Sequence, residues 1–296
     1  MGVLKDGPRY SFIASNAGQL SAALGTLQHP AAYGVRTGIQ IQNPKDRYDY
    51  AAGGPLYRDK ASGMWLLFYH AEKWPGGDSG RFYSLIGLAR SWDAGRTWQD
   101  LGPIVSPEVP FGSIPAEIAS GAYAVVGPYF YVYFRDVPPS GAQINLAVAR
   151  ARVEDVLNAA ASGRTVAWAK YYLGSWVEPG LGGRSSPLER DNPTVNWLDV
   201  SYNSDLRTYL IVAASWVGPG PRDLALFILS SADGLNWGAW RLIAGEPGEN
   251  FYPTIVGLGD DPHITGKRFY VYYMYSAGGP DRWADGVLMR RLISCA

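Results

Sequence analysis

The segment that most constrains the fold is residues 91–98, which reads S-x-D-x-G-x-T-W and predicts a tight β-hairpin turn. Asp93 can accept hydrogen bonds from backbone N–H groups across such a loop, and Gly95 supplies a position where a positive φ is allowed. Trp98 follows where its ring can pack back onto the sheet. Residues 82–89 lead into the segment with the composition of a strand. An ordinary hairpin beside a tryptophan would also satisfy the pattern.

A four-strand unit repeats along the chain, with copies that begin at residues 53, 121, 199 and 252. Each copy has a short strand of small residues or proline, a strongly aromatic strand and a third strand. In the first three copies a hairpin then leads to a fourth strand. The aromatic strands are predicted at 64–69, 129–134, 208–213 and 268–274. In the third copy the hairpin at 231–237 is a shortened relative of residues 91–98. Residues 152–161 predict the one helix.

These repeats predict an all-β chain, namely a five-bladed β-propeller of four-stranded antiparallel blades. Aromatic residues make up 14% of the chain, and its 36 glycines and 21 prolines suit many turns. The fourth copy lacks an outer strand, so we expect residues 10–42 to supply it, to close the ring and to make most of a fifth blade. Residues 17–27 read as a short helix or a loop. We expect residues 1–296 to form a single catalytic domain.

Composition excludes several classes of function. Lys+Arg and Asp+Glu are equal at 26 each, so no surplus of positive charge favours nucleic acid as a partner. No apolar stretch is long enough to span a membrane, and the first 20 residues contain no signal-peptide core. Cys295 is the only cysteine, which excludes an intrachain disulfide. We expect a monomer, secreted or periplasmic if a signal peptide has been removed and otherwise cytoplasmic.

Acidic residues lie near the start of the first strand of each copy: Asp49, Glu117, Asp199 and Glu249. In a propeller these starts converge on one end of the central tunnel. Glycoside hydrolysis needs two carboxyl groups across the scissile bond, one as proton donor and the other as base or nucleophile. The four acids therefore predict a glycosidase site.

The residues 91–98 resemble the Asp-box of sialidases and other β-propeller glycosidases. The acids resemble those of the five-bladed glycosidases of the arabinanase/β-xylosidase type, glycoside hydrolase family 43 and its relatives, including fructan hydrolases. That resemblance implies Asp49 as base, Glu117 as pKa modulator and Asp199 as acid. The family usually has Asp as modulator and Glu as acid, the reverse of the types found here, and Asp49 lacks the proline that commonly follows the base. Glu178 is the rival to Asp199 as proton donor.

Other polar and aromatic side chains are candidates for substrate binding because they end strands or lie in the long Gly-rich loop after residue 176. They are His70, Glu72, Trp74, Arg135, Asp136, Trp176, Arg184, Trp216, Glu249 and Tyr252. Each also has a structural interpretation, as a core, solvated or salt-bridging residue. The three histidines are too scattered to predict a metal site, and no cofactor is expected. Acidic and carbonyl oxygens in a propeller tunnel would still suit Ca²⁺.

Three functions fit these features. The first is a glycoside hydrolase acting on a plant or microbial polysaccharide or oligosaccharide. The second is a sialidase-like exo-glycosidase, which needs three arginines on the substrate carboxylate, with Arg47, Arg135 and Arg184 as candidates. The third is a non-catalytic carbohydrate-binding propeller, which needs aromatic platforms but no paired carboxylates.

Overall fold

A computed structural model describes residues 1–42, 47–138, 144–188, 195–217, 223–278 and 285–295. Almost all of its regular structure is β, in sheets whose strands mostly pair with their neighbours along the chain. The chain divides into two compact units, residues 1–186 and residues 187–296. In the described part of the chain, no helix is both long and apolar enough to cross a membrane.

The first strand group of unit 1 is an antiparallel sheet of four strands that pair in chain order. They are β1 (Gly2–Asp6), β2 (Arg9–Asn16), β3 (Gln19–Gly25) and β4 (Val35–Ile39). The expectation that the N-terminal segment makes most of a strand group of its own is therefore confirmed, and its expected role in closing the ring stays a prediction. The prediction of a helix or loop over residues 17–27 is wrong, because β3 pairs with β2 along its whole length after a turn at Ala17 and Gly18. Cross-strand pairing outweighs the helical preference of its leucines and alanines.

The second group surrounds one long aromatic strand. Its strands are β5 (Ile41–Gln42), β6 (Tyr50–Ala52), β7 (Leu56–Arg58), β8 (Trp65–Lys73), β9 (Tyr83–Ser91) and β10 (Trp98–Val105). Alternate residues of β8 are buried on opposite faces: Leu66 and Phe68 belong to one apolar cluster, whereas Trp65, Leu67 and Tyr69 belong to another. Because this part of β8 is covered on both faces, residues 65–69 are apolar without a break instead of alternating.

The third group completes unit 1. Its strands are β11 (Glu117–Val126), β12 (Tyr129–Val137), β13 (Ile144–Arg152), β14 (Ala169–Tyr172) and β15 (Ser175–Pro179). The helix α1 (Val153–Ala161) lies between β13 and β14, where the sequence predicts it. It buries Val156 and Ala160 and begins with the acids Glu154 and Asp155, which suit a helix N-terminus.

Unit 2 contains one eight-stranded sheet made of two antiparallel groups. One group is β16 (Val195–Asn203), β17 (Thr208–Trp216), β18 (Leu224–Ser231) and β19 (Arg241–Ala244). The other is β20 (Glu249–Gly257), β22 (Arg268–Ser276) and β23 (Val287–Ser294), and the short β21 (Ile264–Thr265) pairs with β16. A parallel pairing of Leu224 with Glu249 links the two groups. The described residues thus contain five strand groups, and each aromatic strand lies at its predicted place.

The hairpin turn between β9 and β10 is built around one carboxylate. Asp93 accepts hydrogen bonds from the backbone N–H groups of Arg96 at 3.0 Å and Thr97 at 2.9 Å, and from the Thr97 hydroxyl at 2.8 Å. Ser91 donates its hydroxyl to the same carboxylate at 2.7 Å, and Gly95 has a φ of +76°. Burial acts to raise the pKa of Asp93, but these hydrogen bonds outweigh it and lower the pKa to about 2.

The turn between β18 and β19 repeats this arrangement in a shorter form. Asp233 accepts hydrogen bonds from the backbone N–H groups of Leu235 and Asn236, both at 2.8 Å, and from the Asn236 amide at 2.7 Å. Ser231 donates to Asp233 at 3.0 Å, as Ser91 does to Asp93. The kinship of the two turns, inferred from the sequence, is therefore visible in their hydrogen bonds.

The first strands of three groups share an irregularity, one extra residue relative to the strand beside them. In β11, Ser120 and Gly121 lie opposite a single residue of β12, and in β20, Tyr252 and Pro253 lie opposite a single residue of β22. Between β6 and β7, residues 53–55 lie opposite two residues of β8. The first residue of each insertion has a positive φ, of 62°, 66° and 53° in chain order. These are β-bulges, which redirect the side chains that follow.

Candidate active site

Four of the predicted site residues, Trp74 among them, are joined by hydrogen bonds at the end of β8. The backbone N–H of Trp74 donates to Asp49 Oδ2 at 2.7 Å, and its indole Nε1 donates to Glu72 Oε2 at 2.6 Å. His70 Nε2 lies 3.1 Å from Glu72 Oε1, and Lys73 Nζ lies 3.2 Å from Asp49 Oδ2. One tryptophan therefore bridges two carboxylates. We call Asp49, His70, Glu72 and Trp74 the Trp74 cluster.

Strand pairing fixes this cluster. Asp49 directly precedes β6, and its backbone N–H donates to the carbonyl of Glu72, so the pairing of β6 with β8 continues through it. Its side chain is 34% exposed and that of Glu72 is 18% exposed, so solvent reaches both. Burial acts to raise the pKa of Glu72, but the hydrogen bonds from His70 and Trp74 hold it below its ordinary value. Glu72 is therefore a carboxylate at neutral pH, suited to stabilise positive charge.

Glu117 and Arg135 form a second group, which we call the cleft pair. Arg135 Nη2 donates to both carboxylate oxygens of Glu117 at 2.6 Å, and the two side chains are 23% and 13% exposed, Glu117 the more open. Glu117 lines a cleft of about 180 Å³ together with Phe82, Pro115 and Val137. This cleft has mostly apolar walls and one carboxylate.

The position of Glu117 is set by the neighbouring strand group. The Ser84 hydroxyl of β9 donates to the carbonyl of Ile118 at 3.0 Å and accepts from the Ile118 N–H at 3.1 Å. Ser84 is itself fully buried. The start of β11 is thus hydrogen-bonded to β9 on one side and paired with β12 on the other. A carboxylate on so constrained a backbone keeps its direction, as catalysis requires.

Glu178 lies on β15 and accepts hydrogen bonds from Arg184. Arg184 donates to Glu178 from its backbone N–H at 3.1 Å, from Nε at 3.0 Å and from Nη2 at 2.6 Å. These hydrogen bonds hold the pKa of Glu178 below its ordinary value. Glu178 is therefore ionised at neutral pH, which does not suit the proton donor the sequence suggests. Trp176, on the same strand, stacks on the Arg150 guanidinium at 4.1 Å.

Asp136 is directed away from the cleft and is buried, with its side chain 4% exposed. It accepts a hydrogen bond from the Ser185 hydroxyl at 2.6 Å, and Lys170 Nζ lies 3.8 Å from the same oxygen. Lys170 is fully buried and donates to the carbonyls of Ser106 at 2.7 Å and Gly183 at 2.6 Å. Asp136, Lys170 and Ser185, which we call the loop anchor, therefore hold the Gly-rich loop before it leaves unit 1.

Burial shifts the pKa values of the two charged residues of this anchor in opposite directions, each toward the neutral form. Burial raises the pKa of Asp136, opposed by Lys170 and by the Ser185 hydrogen bond. Burial lowers the pKa of Lys170 to about 8, opposed by the nearby carboxylates of Asp136, Glu108 and Glu178. The substrate-binding role predicted for Asp136 stays a prediction, and the structure gives the residue a clear role in holding the loop.

In unit 2, the predicted position of Asp199 at the opening of its strand is wrong. Asp199 is the fifth residue of β16, because β16 begins at Val195 and pairs with β17 from there. Its carboxylate accepts the backbone N–H of Val200 at 2.9 Å and that of Ile255 at 2.7 Å, so it joins β16 to β20. Burial raises the pKa of Asp199, opposed by His263 and by these N–H groups. A raised pKa suits a proton donor, but a donor must also reach the substrate.

The remaining candidates in unit 2 differ in exposure. Glu249 is the first residue of β20 and is buried, whereas Tyr252 is 41% exposed. Trp216 is the half-buried last residue of β17. The ring of Tyr252 lies 4.7 Å from that of Trp197, a residue that the sequence analysis does not select. Within the described residues, no three His, Cys, Asp or Glu side chains are placed to hold a metal ion.

Two other residues that sequence reasoning misses are Lys170 and Ser84. A lysine is expected at the surface, so the sequence carries no sign that Lys170 is buried. Ser84 lies in an apolar strand, and a serine among Tyr83, Leu85 and Ile86 is a usable sign of a hydrogen bond to another strand. For Trp197, the signal is an aromatic residue close to the start of a first strand.

Known proteins are similar to this chain in structure but not in sequence. No protein-family profile and no curated protein sequence matches the chain. Among solved structures, an exo-1,5-α-L-arabinanase from a bovine ruminal metagenomic library is similar with a TM-score of 0.62 at 9% identity, over 98% of this chain and 91% of that one. The catalytic domain of a GH62 α-L-arabinofuranosidase from Coprinopsis cinerea gives 0.60 at 10% identity, over 99% and 89%.

The chain has a β-propeller fold. A protein of unknown function from Dyadobacter fermentans has a TM-score of 0.60 to this propeller at 12% identity, over 100% of this chain and 76% of that one. Four of the strand groups correspond to the units that repeat in the sequence. The fold resemblance to propeller glycoside hydrolases is likewise confirmed, and at such identities the likeness concerns the fold.

Proposed function

We propose that this propeller is a glycoside hydrolase that acts on a carbohydrate chain, and that residues 1–296 form one catalytic domain. The observation that carries the proposal is the Trp74 cluster, in which one tryptophan holds Asp49 and Glu72 by hydrogen bonds of 2.7 and 2.6 Å. Acid–base cleavage of a glycosidic bond requires a base and a proton donor on fixed strands, and this cluster supplies the base. The propellers it resembles include enzymes named for arabinose-containing substrates, so arabinan and arabinoxylan are the first substrates to try.

In this proposal Asp49 is the base, as the sequence predicts, and the ionised Glu72 supports it. Glu117 is the second reacting carboxyl group, because it is the predicted acid that opens onto a cleft. The predicted donors Asp199 and Glu178 receive less support: burial keeps the carboxyl of the first from solvent, and the second does not line the cleft. Catalysis is therefore assigned first to Asp49 and Glu117.

The sialidase-like alternative receives less support from the contacts. It needs three arginines that can share one substrate carboxylate. Arg47, Arg135 and Arg184 are each paired with a different acid of the protein, namely Asp100, Glu117 and Glu178. An aryl sialoside in the substrate panel tests this alternative directly.

The test is hydrolysis of arabinan, arabinoxylan, 1,5-α-arabino-oligosaccharides and a panel of aryl glycosides. We expect Asp49→Asn and Glu117→Gln each to lower the rate by about 10² to 10⁴, the usual contribution of an acid–base group. Asp155→Asn and Glu154→Gln make the same chemical changes on the exposed first turn of α1 and should leave the rate unchanged.

Equal rates for the parent, Asp49→Asn and Glu117→Gln would show that the site is misassigned. A parent that hydrolyses nothing in the panel but binds an oligosaccharide by calorimetry would instead be the carbohydrate-binding propeller. Loss of activity in both variants with folding retained, as judged by circular dichroism, supports the proposal.

A further inference from the structure

Positive φ angles at residues other than glycine fall into two kinds in this chain. Among the described residues six have such angles: Ala17, Ala94, Ser120, Leu173, Arg207 and Tyr252. Four of them lie in turns between strands, where this conformation is common. Ser120 and Tyr252 lie inside strands β11 and β20, so turn geometry does not account for them.

Ser120 and Tyr252 occupy the same position in their strands, as the first residue of a bulge. Gly53 occupies that position between β6 and β7, with a φ of 62° against 53° at Tyr252. Glycine adopts this conformation freely, whereas a residue with a bulky side chain is strained in it. A small residue is therefore enough to form the bulge. The presence of a strained tyrosine at this position needs another explanation.

Packing in the core does not explain the tyrosine, because the side chain of Tyr252 is partly exposed to solvent. The residue is 41% exposed, while Phe251 and Pro253 on either side of it are buried. Its ring lies 4.7 Å from the half-buried ring of Trp197 at an interplanar angle of 56°, and 5.3 Å from Phe251 at 82°. Tyr252 and Trp197 thus form an angled aromatic pair at the start of two first strands. Strain kept at an exposed aromatic residue is typical of functional positions.

We propose that Trp197 and Tyr252 form a carbohydrate subsite, in which one sugar ring stacks on the exposed face of Tyr252. The C–H face of a sugar is apolar while its hydroxyl groups stay in water, which matches an aromatic ring that is only partly covered. This inference rests on the proposed action on carbohydrate and assigns unit 2 its own part in substrate recognition. The bulge directs the ring outward, and Trp197 fixes its orientation.

The test compares Tyr252→Gly, Tyr252→Leu and Tyr252→Phe. The Gly variant removes the ring and the strain together, the Leu variant keeps bulk without a flat ring, and the Phe variant keeps the ring. The matched control is Ser120→Gly, which relieves the same backbone position in β11 without removing an aromatic side chain. Binding is measured by calorimetry with 1,5-α-arabino-oligosaccharides and xylo-oligosaccharides, and stability by the melting temperature.

We expect Tyr252→Gly and Tyr252→Leu to weaken binding by about tenfold or more, equivalent to about 1.4 kcal/mol. Tyr252→Phe should stay within about threefold of the parent, and Ser120→Gly should bind as the parent does. The melting temperature of Tyr252→Gly should be unchanged or raised by up to about 3 °C, because relief of strain offsets the lost ring contacts.

Parent-like binding in Tyr252→Gly and Tyr252→Leu would overturn the subsite while leaving the proposed function intact. A large fall in the melting temperature of Tyr252→Gly with parent-like binding in Tyr252→Leu would show that the ring serves packing instead, and would also overturn it. If the parent neither binds nor hydrolyses any of these carbohydrates, the subsite and the proposed function are both wrong.

Discussion

Arg135 and Asp136 are neighbours on β12, yet each forms an ion pair of a different kind. Arg135 meets Glu117 at 2.6 Å beside an open cleft, and both side chains are partly exposed. Asp136 meets Lys170 at 3.8 Å with both side chains almost fully buried. The alternation of a strand places successive side chains on opposite faces, so adjacent residues can serve unrelated purposes.

This difference indicates which of the charged residues are accessible to a substrate. In a partly exposed pair water competes for both charges, so the pair contributes less to stability than a short distance suggests, and a substrate group can reach either partner. A buried pair is weak evidence for net stability, but breaking it leaves an unpaired charge in the interior. We therefore assign the cleft pair to function and the loop anchor to structure, and three experiments test that division.

The largest expected effect is on stability, from Lys170→Met. This change leaves Asp136 buried without its cation and two carbonyls without their donor, so we expect the free energy of unfolding to fall by about 3–5 kcal/mol. Denaturant unfolding measures it. The exposed Lys60→Met is the matched control and should stay within about 0.5 kcal/mol of the parent. A loss below about 1 kcal/mol for Lys170→Met would remove the structural role of the anchor.

The second effect is a dependence on pH that belongs to the same lysine. Burial lowers the pKa of Lys170 from 10.5 to about 8, so between these values the unfolded chain holds more protons than the folded chain. Stability contributed by this group must therefore rise with pH across that window, by at most about 1.4 kcal/mol per pH unit.

Subtracting the unfolding free energy of Lys170→Met from that of the parent at each pH removes the contribution of other titrating groups. The difference should increase steadily as the pH is raised through the window. If the difference in unfolding free energy stays constant or decreases as the pH is raised, burial does not lower the pKa of Lys170. The two ion pairs would then not differ in their electrostatics.

The smallest expected effect on stability is that of Arg135→Met, no more than about 1 kcal/mol, because both members of its pair are partly hydrated. Hydrolysis of the best substrate should nevertheless fall at least about tenfold, since Glu117 loses the group that orients it. Arg164→Met, on an exposed segment after α1, is the control. A stability loss as large as that of Lys170→Met would show that the two pairs are alike.

Much of this fold is readable from sequence because the aromatic strands are distinctive. β8, β12, β17 and β22 carry long apolar runs bounded by turn residues, and each lies where the repeats predict it. β3 is missed because Ser21, Ala22, Ala23 and Leu24 have no strand preference of their own, and only pairing with β2 makes them extended.

The candidate site is less predictable, because the role of each side chain depends on which face of its strand it occupies. The sequence selects Arg135 and Asp136 together as binding residues, and only the structure separates the cleft from the anchor. The sequence places Asp199 first in its strand, whereas the pairing of β16 begins four residues earlier. Residue type indicates the chemistry in such cases, and register decides whether it is accessible.

The Asp93 turn has a consequence for how the chain reaches this structure. Its hydrogen bonds join residues no more than four positions apart, so closing the loop costs little chain entropy. Pairings such as that of β5 with β10, in contrast, must wait for segments more than fifty residues apart to meet. The β9–β10 hairpin is thus available to guide the rest of its blade, and the turn specifies an order of assembly as well as a shape.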